Sequence, residues 1–168
     1  MGGWGEERDR GLDSGDKDLV FMAEAVKEAG KALKKAEVPI GAVIVHEGKV
    51  IGRGHNRKES GLDATLHAEM TAIRDASKRL KRWRLSNATL YVTLEPCLMC
   101  MGAIIQARIP RLVFGPFDPK AGAAGSLYDV SKDRRLNHRV RVQSGVLANE
   151  AGAMLKDFFK TLRKRRRG

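Results

Sequence analysis

The stretch ATLYVTLEPCLMCMGAI at residues 88–104 decides the fold of this chain. Its first half is rich in β-branched and aromatic residues, which favour a central β-strand. Pro96 suits the first turn of a following helix, because the N–H that proline lacks would be unpaired there anyway. The apolar run at 112–114 predicts a second strand. Strand, helix and strand then form a βαβ unit with parallel strands and a right-handed crossover.

Helices and strands are predicted on both sides of this unit from the period of the apolar residues. Upstream, residues 19–36 predict a helix, 40–45 and 50–51 a hairpin, and 65–80 a second helix capped by Thr65. Downstream, residues 140–142 predict a final strand, and a closing helix begins near residue 149. The fold class is therefore α/β, a three-layer α/β/α sandwich with a central mixed five-stranded sheet.

The same period predicts which side of each helix is buried. The first helix should bury Leu19, Met22, Val26, Ala29 and Leu33. The second should turn Leu66, Met70, Ile73, Ser77 and Leu80 inwards, and the closing helix should bury Met154, Leu155, Phe158 and Phe159.

Composition limits where the protein works. At 168 residues the chain suits one domain. Its two cysteines, Cys97 and Cys100, are too close in sequence to build a disulfide framework, so we expect reduced thiols and a cytoplasmic location. No apolar run is long enough to cross a membrane. Residues 1–18, with six acidic and three basic residues, predict a disordered tail.

Basic residues dominate the rest of the chain, and the chain as a whole has a formal net charge of +12. They cluster at 78–84, at 134–141 and, without interruption, at 163–167. Such clusters favour a polyanionic partner, and nucleic acid is favoured over a membrane because no amphipathic anchor with a bulky apolar face is present. A solvated surface explains any single cluster equally well.

Three residues could ligate a metal ion. Cys97 and Cys100 lie at a helix start, where the helix dipole favours thiolates, and His67 also lies near a helix start. Zn²⁺ accepts imidazole and thiolate ligands together, and three protein ligands leave a fourth position for water, as in catalytic zinc sites. Glu69 could carry protons beside that water only if the ion lies off the end of the helix.

Two other interpretations of these residues stay open. A bare C-x-x-C pair is often a redox pair, although that would leave His67 and Glu69 unexplained. A structural zinc would need a fourth ligand, which His46, His55 or His138 could supply.

Several stretches together resemble the bacterial-type tRNA-specific adenosine deaminases, which belong to the cytidine deaminase-like zinc deaminases. These are VPIGAVIV at 38–45, HNR at 55–57, TLHAEM at 65–70, the 88–104 block, FGPFDPKAGAAGS at 114–126 and LKDFF at 155–159. The His-x-Glu and Pro-Cys-x-x-Cys motifs belong to all zinc deaminases. The resemblance implies a deaminase domain at 19–162 between the N-terminal tail at 1–18 and a basic C-terminal tail at 163–168.

The resemblance also implies an activity, hydrolysis of adenosine to inosine at the wobble position of a tRNA anticodon. It implies one Zn²⁺ per subunit on His67, Cys97 and Cys100, with Glu69 as the catalytic proton carrier. The implied substrate contacts are Asn56, Val38, Ala68, Asp118, Phe158 and Phe159. The implied partners are a tRNA anticodon stem-loop and a second copy of the chain in a homodimer. A deaminase of a free base or nucleoside, and a non-catalytic zinc-stabilised RNA-binding module, are the alternative functions.

Overall fold

A computed structural model describes residues 13–168 and shows one five-stranded sheet with helices on both faces. The elements in chain order are α1 (Ser14–Lys34), β1 (Gly41–His46), β2 (Lys49–His55), α2 (Ala68–Leu80), β3 (Ala88–Val92), α3 (Leu98–Gln106), β4 (Arg111–Phe114), β5 (Arg141–Gln143) and α4 (Ala148–Arg167). The strands lie in the order β2-β1-β3-β4-β5. No helix in this described part is long and apolar enough to span a bilayer.

Strand directions confirm the predicted mixed sheet. β1 runs antiparallel to both β2 and β3, whereas β3, β4 and β5 are mutually parallel. α2 and α3 pack against one face, and α1 covers the other face through Met22, Val43 and Val113. In a parallel βαβ unit the helix starts where the first strand ends, so the carboxyl ends of β3 and β4 and the start of α3 lie at one edge.

Small residues make a close contact between α2 and the sheet, and our prediction for the second helix was only partly correct, since Ile73 and Leu80 do pack against the core. The fully buried positions of α2 are Ala68, Glu69, Ala72 and Ala76, while the five predicted residues are half-buried. Gly52 and Gly54 of β2 allow this approach. A Cβ on Gly54 would lie 2.2 Å from the carbonyl oxygen of Ala68, so the backbones touch and bulky side chains are displaced to the flanks.

The buried side of α1 also differs from the prediction. Met22 and Ala29 are buried as expected, but Leu19 and Leu33 are 48% and 43% exposed. The buried positions instead include Asp18, Ala25, Glu28 and Ala32, because the two carboxylates have cationic partners that make their burial tolerable.

The helix also starts earlier than predicted. Asp13 caps it by accepting a hydrogen bond from the Asp16 amide at 2.9 Å, so residues 14–18 are helical and not part of a tail. The remainder of the predicted tail, residues 1–12, lies outside the described residues.

The closing helix α4 differs from the prediction in length and in burial. It continues to Arg167, so the basic run at 163–167 extends the helix and is not a separate tail. Ala151 is its only buried residue. Met154, Leu155 and Phe158 are half-buried and Phe159 is 41% exposed, because α4 does not pack extensively against any strand of the sheet.

Candidate active site and metal centre

Two helix starts bring the three candidate metal ligands together. Cys97 is the N-cap of α3 and His67 is the N-cap of α2. Both caps have extended backbone, with φ/ψ of −75°/175° for Cys97 and −76°/154° for His67. The His67 ring therefore does not project from the side of the helix. An ion bound to it can lie off the helix end, as Glu69 requires if it is to stand beside the bound water.

The donor atoms fit a tetrahedral zinc ion. His67 Nδ1 lies 3.6 Å from Cys97 Sγ and 3.5 Å from Cys100 Sγ, and the three donor atoms are within 4.8 Å of one another. Tetrahedral bonds of about 2.0 Å to nitrogen and about 2.3 Å to sulfur place the two ligand atoms about 3.5 Å apart. The observed spacing thus suits an ion bound between them.

None of the other histidines joins this group. His55 faces Glu28 with 3.4 Å between its Nδ1 and a carboxylate oxygen, and His138 Nε2 lies 2.7 Å from the carbonyl oxygen of Ile109. His46 Nε2 lies 3.4 Å from Arg82. Within residues 13–168 the metal-ligating cluster has three members, so the fourth ligand of a structural zinc site is missing there.

The two thiols are electrostatically unequal. A hydrogen bond from the Cys100 thiol, opposed by burial and aided by His67, lowers the pKa of Cys97 to about 4. The Cys97 sulfur, together with burial, raises the pKa of Cys100. Cys97 is therefore a ready thiolate at the helix N-terminus, where negative charge is favoured.

Glu69 lies beside this cluster and is 4% exposed. Burial raises its pKa, although the Cys100 thiol and His67 act in the opposite direction. A carboxyl group whose pKa is raised by burial can hold a proton and release it again, which is the property that a general acid and base requires.

The cluster opens into a cavity of about 700 Å³. Among the residues that line it are His67, Cys97, Glu69 and five of the six predicted substrate contacts, namely Val38, Asn56, Ala68, Asp118 and Phe159. Phe158 lies elsewhere, in a second cavity of about 340 Å³ between α4 and the end of α1.

Asn56 is held in place by the backbone. It is 6% exposed, its Nδ2 donates to the Val38 carbonyl at 3.4 Å, and its Oδ1 accepts from the Lys58 amide at 3.2 Å. Each of these groups can form one more hydrogen bond, so the amide can still present a donor and an acceptor to a ligand.

A buried carboxylate that sequence reasoning missed organises the opposite wall. Glu95 is 2% exposed and accepts hydrogen bonds from the amides of Asp118 (2.9 Å), Ala124 (3.0 Å) and Ser126 (3.0 Å), as well as from the Ser126 hydroxyl. It thereby holds the loop at 115–126 against the start of α3. An acidic residue directly before Pro96, inside an otherwise apolar block, was the available signal.

Cations also line the cavity, and sequence reasoning had singled out only one of them, Arg163, as part of the basic run at 163–167. They are Lys58, Lys120, Lys156 and Arg163. Three different segments contribute them, and only the fold brings those segments together.

Comparison with known proteins places the chain in a family. The MafB19-like deaminase family matches residues 16–163. The tRNA-specific adenosine deaminase of Bacillus subtilis is 51% identical over 150 residues, which cover 89% of this chain and 93% of the relative. This chain belongs to the tRNA-specific adenosine deaminase family. The resemblance seen in the sequence is thus confirmed.

Two solved structures share the fold of this chain, and the first also agrees with membership of the adenosine deaminase family. One, from work on A-to-I editing by tRNA:A34 deaminases at the wobble position of transfer RNA, is 46% identical with a TM-score of 0.78, covering 81% of this chain and 99% of that one. A guanine deaminase from Nitrosomonas europaea is 24% identical with a TM-score of 0.70, covering 83% of each chain. The second likeness shows a shared fold alone.

Proposed function

We propose that this chain hydrolyses adenosine to inosine at the wobble position of a tRNA anticodon. The observation that carries the proposal is the buried Glu69 beside His67, Cys97 and Cys100 at one end of a large cavity. The high identity to tRNA-specific adenosine deaminases over nearly the whole chain supports this substrate over a free base.

His67, Cys97 and Cys100 would hold one Zn²⁺ per subunit. Their donor types and nitrogen–sulfur distances suit zinc. Bound there, zinc would supply a Lewis acid that lowers the pKa of a water molecule in the fourth position to about 7.

Glu69 is the proton carrier in this proposal. It takes a proton from the attacking water and passes it to the N1 ring nitrogen of adenine. It then takes the second proton, from the new hydroxyl group on C6, and passes it to the amino group, which leaves as ammonia while C6 becomes a carbonyl. Addition of water at C6 and loss of ammonia leave inosine. Because burial raises its pKa, the Glu69 carboxyl can hold the proton between these transfers.

The target base would be bound by the walls of the cavity. Asn56 offers its remaining N–H and lone pair to the edge of the base, while Val38 and Ala68 contact its faces. Asp118 Oδ1 accepts a hydrogen bond from the Lys120 amide at 3.0 Å, which orients its carboxylate towards the neighbouring nucleotides. Phe159, exposed at the rim, offers a stacking surface, whereas Phe158 faces away from the cavity.

The cations of the rim would bind phosphates of the anticodon loop. Lys58, Lys120, Lys156 and Arg163 surround a cavity that the extruded base must enter, so phosphates on either side of the base pass near them. Proteins typically bind single-stranded nucleic acid in this way, with basic side chains on the phosphates and aromatic side chains stacked on the bases.

A homodimer and a cytoplasmic location complete the proposal. α3 buries Cys100, Met101, Ile104 and Ile105 but leaves Leu98 51% exposed, and this free apolar side supports a two-fold contact between copies. The cytoplasm contains tRNA and keeps thiol ligands reduced.

A product assay tests the function. Metal-replete protein is incubated with an anticodon stem-loop that carries adenosine at the wobble position, and the RNA is sequenced for inosine. Inosine at that position with release of one ammonia is the expected result. Free adenosine, cytidine and guanine are assayed in parallel. Efficient turnover of a free compound, or RNA binding without ammonia release, would contradict the proposal in favour of the other two functions.

A further inference from the structure

Two groups of basic residues, one around the cavity and one at residues 78–84, lie far apart. The catalytic cluster lies at the start of α2, whose 13 residues rise about 1.5 Å each, so its other end is about 20 Å away. Lys78, Arg79, Lys81, Arg82, Trp83 and Arg84 lie at that other end, and we call them the distal patch. They cannot contact the nucleotides that enter the cavity.

The sheet gives the same separation independently. The distal patch leads through Leu85 into the first residue of β3, Ala88, whose amide donates to the Leu85 carbonyl at 3.1 Å. Cys97 follows the other end of β3. Five residues at about 3.3 Å each put about 17 Å between the two ends of this strand.

Charge in the distal patch is hardly compensated. Residues 78–84 hold five cations and no acidic residue, and all five are exposed. Among residues 13–168, the one ion pair made by these cations joins Arg79 to Asp75 at 3.6 Å. Arg82 instead lies near His46, with 3.4 Å between the nitrogens. Mutual repulsion of this kind is relieved when a polyanion binds.

The patch also holds an exposed aromatic ring. Trp83, one of two tryptophans in the chain, is 59% exposed. The Arg84 guanidinium carbon lies 4.9 Å from the centre of the Trp83 ring, a cation–π contact that orients the ring on the surface. A large aromatic surface flanked by arginines and lysines suits stacking on a base or ribose between phosphate contacts.

We infer that the distal patch is a second RNA-binding surface, which binds the phosphate backbone of tRNA outside the anticodon loop. The inference rests on the proposed function for the identity of the RNA. Charge complementarity and the exposed ring favour RNA over an anionic membrane, since a single aromatic residue without a wider apolar face gives little to insert into lipid.

Kinetics with two substrates test this surface. The charge-reversal variant Lys81→Glu/Arg82→Glu/Arg84→Glu is compared with the charge-preserving control Arg82→Lys/Arg84→Lys, after circular dichroism confirms that both are folded. With full-length tRNA, reversal should raise KM about tenfold and leave kcat within about twofold. With the isolated anticodon stem-loop, both constants should stay as in the parent protein. An equal rise for the two substrates, or no rise with full-length tRNA, overturns the inference.

A binding measurement separates failure of this surface from failure of the proposed activity. Trp4→Phe leaves Trp83 as the sole tryptophan. Full-length tRNA should quench its fluorescence, and removing three cations should lower the salt slope of binding by about three. If the parent protein deaminates no RNA, this titration still decides the inference. Three results would overturn the inference. They are an absence of quenching by tRNA, equal quenching by anionic phosphatidylglycerol vesicles, and dissociation of an oligomer by Trp83→Ala.

Discussion

At the scale of single residues, the start of α2 allows the side chains of His67 and Glu69 to face the same space. Two residues apart within a helix they would point in nearly opposite directions. Because His67 is the extended N-cap and Glu69 lies in the first turn of α2, the imidazole and the carboxyl both face the space beyond the helix end. Burial of that space then raises the pKa of the carboxyl.

Glu69→Gln should remove activity and keep the metal site. The amide occupies the same volume but cannot carry a proton, so inosine formation should fall by about 10²-fold or more. Zinc content by mass spectrometry and the melting temperature should match those of the parent. Glu28→Gln is the matched control, because Glu28 is equally buried but lies on α1, where Lys31, Arg53 and His55 are its partners. Activity retained in Glu69→Gln would exclude Glu69 from proton transfer.

Glu95 is the residue on which the loop at 115–126 depends. Glu95→Gln replaces one acceptor oxygen by a donor and leaves buried amides unpaired, which costs about 1–3 kcal/mol for each lost partner. We expect a lower free energy of unfolding in urea and a raised KM for the anticodon stem-loop, because Asp118 belongs to the same loop. Ser126→Ala removes only one of these donors and should have the smaller effect. Equal stability of Glu95→Gln and the parent would show that the loop is held by other contacts.

At the scale of elements, the contact between β2 and α2 positions the candidate metal ligand His67 and the neighbouring Glu69. Because Gly52 and Gly54 have no side chains, β2 can touch the backbone of α2. This contact sets the distance between the sheet and the first turn of α2, which follows His67. A displacement of this turn would move His67 and Glu69 together.

Gly54→Ala should therefore damage both fold and site. Its Cβ would lie 2.2 Å from the Ala68 carbonyl oxygen and 2.7 Å from the Ala72 amide, so α2 must shift. Overpacking of this kind costs about 1–3 kcal/mol or more, and zinc affinity should fall as well. Gly30→Ala is the matched control, since nothing lies within 4 Å of a Cβ there and alanine stabilises a helix interior by about 0.8–1.0 kcal/mol. Urea unfolding and zinc titration measure both effects.

Three side chains tie α1 to the sheet. Arg111 of β4 donates two hydrogen bonds of 2.7 Å to Asp18, and the Tyr91 hydroxyl of β3 donates one of 2.8 Å. Burial alone would raise the pKa of Asp18, but these hydrogen bonds outweigh it and lower the pKa. Because the folded-state pKa is lowered, this carboxylate stabilises the fold above the unfolded-state pKa of about 3.9, and the stabilisation is lost as the pH falls through the lower folded-state value.

Asp18→Asn should cost about 3 kcal/mol at pH 7, because it leaves Arg111 without its ionic partner. The difference from the parent should shrink as the pH falls below about 4, where the unfolded chain becomes protonated at Asp18, and should be lost once the pH has fallen through the lower folded-state pKa of Asp18. Urea unfolding at the two pH values measures this. Asp133→Asn is the control, since exposed Asp133 pairs only with its neighbour Arg135. A difference that does not depend on pH would mean that packing, and not charge, explains the loss.

For the whole molecule, net charge should control RNA affinity. Four cations line the cavity, and at a slope of about −0.7 each the affinity for an anticodon stem-loop should fall about 50-fold between about 50 and about 200 mM salt. Filter binding at several salt concentrations measures the slope. An affinity that does not change with salt would show that these cations lie away from the RNA.

Much of the fold and the central part of the site could be predicted from local sequence. The βαβ unit follows from residues 88–114, and the metal cluster follows from residue types and spacing that few other sites use. The buried sides of the helices were harder to predict. Leu19 and Leu33 are apolar yet exposed, and Asp18 and Glu28 are charged yet buried, because partners from distant segments decide the outcome.

The sequence by itself determined the order of strands and helices along the chain and the identity of the candidate metal ligands, since both depend on patterns within about twenty neighbouring residues. Tertiary structure alone decided which distant groups meet. It brought Glu95 to the loop at 115–126, placed Phe159 at the cavity and Phe158 outside it, and separated the cations of the cavity from those around Trp83. The physical reason is that burial and contact depend on packing between segments distant in sequence. The periodicity of apolar residues within one segment contains no information about that packing.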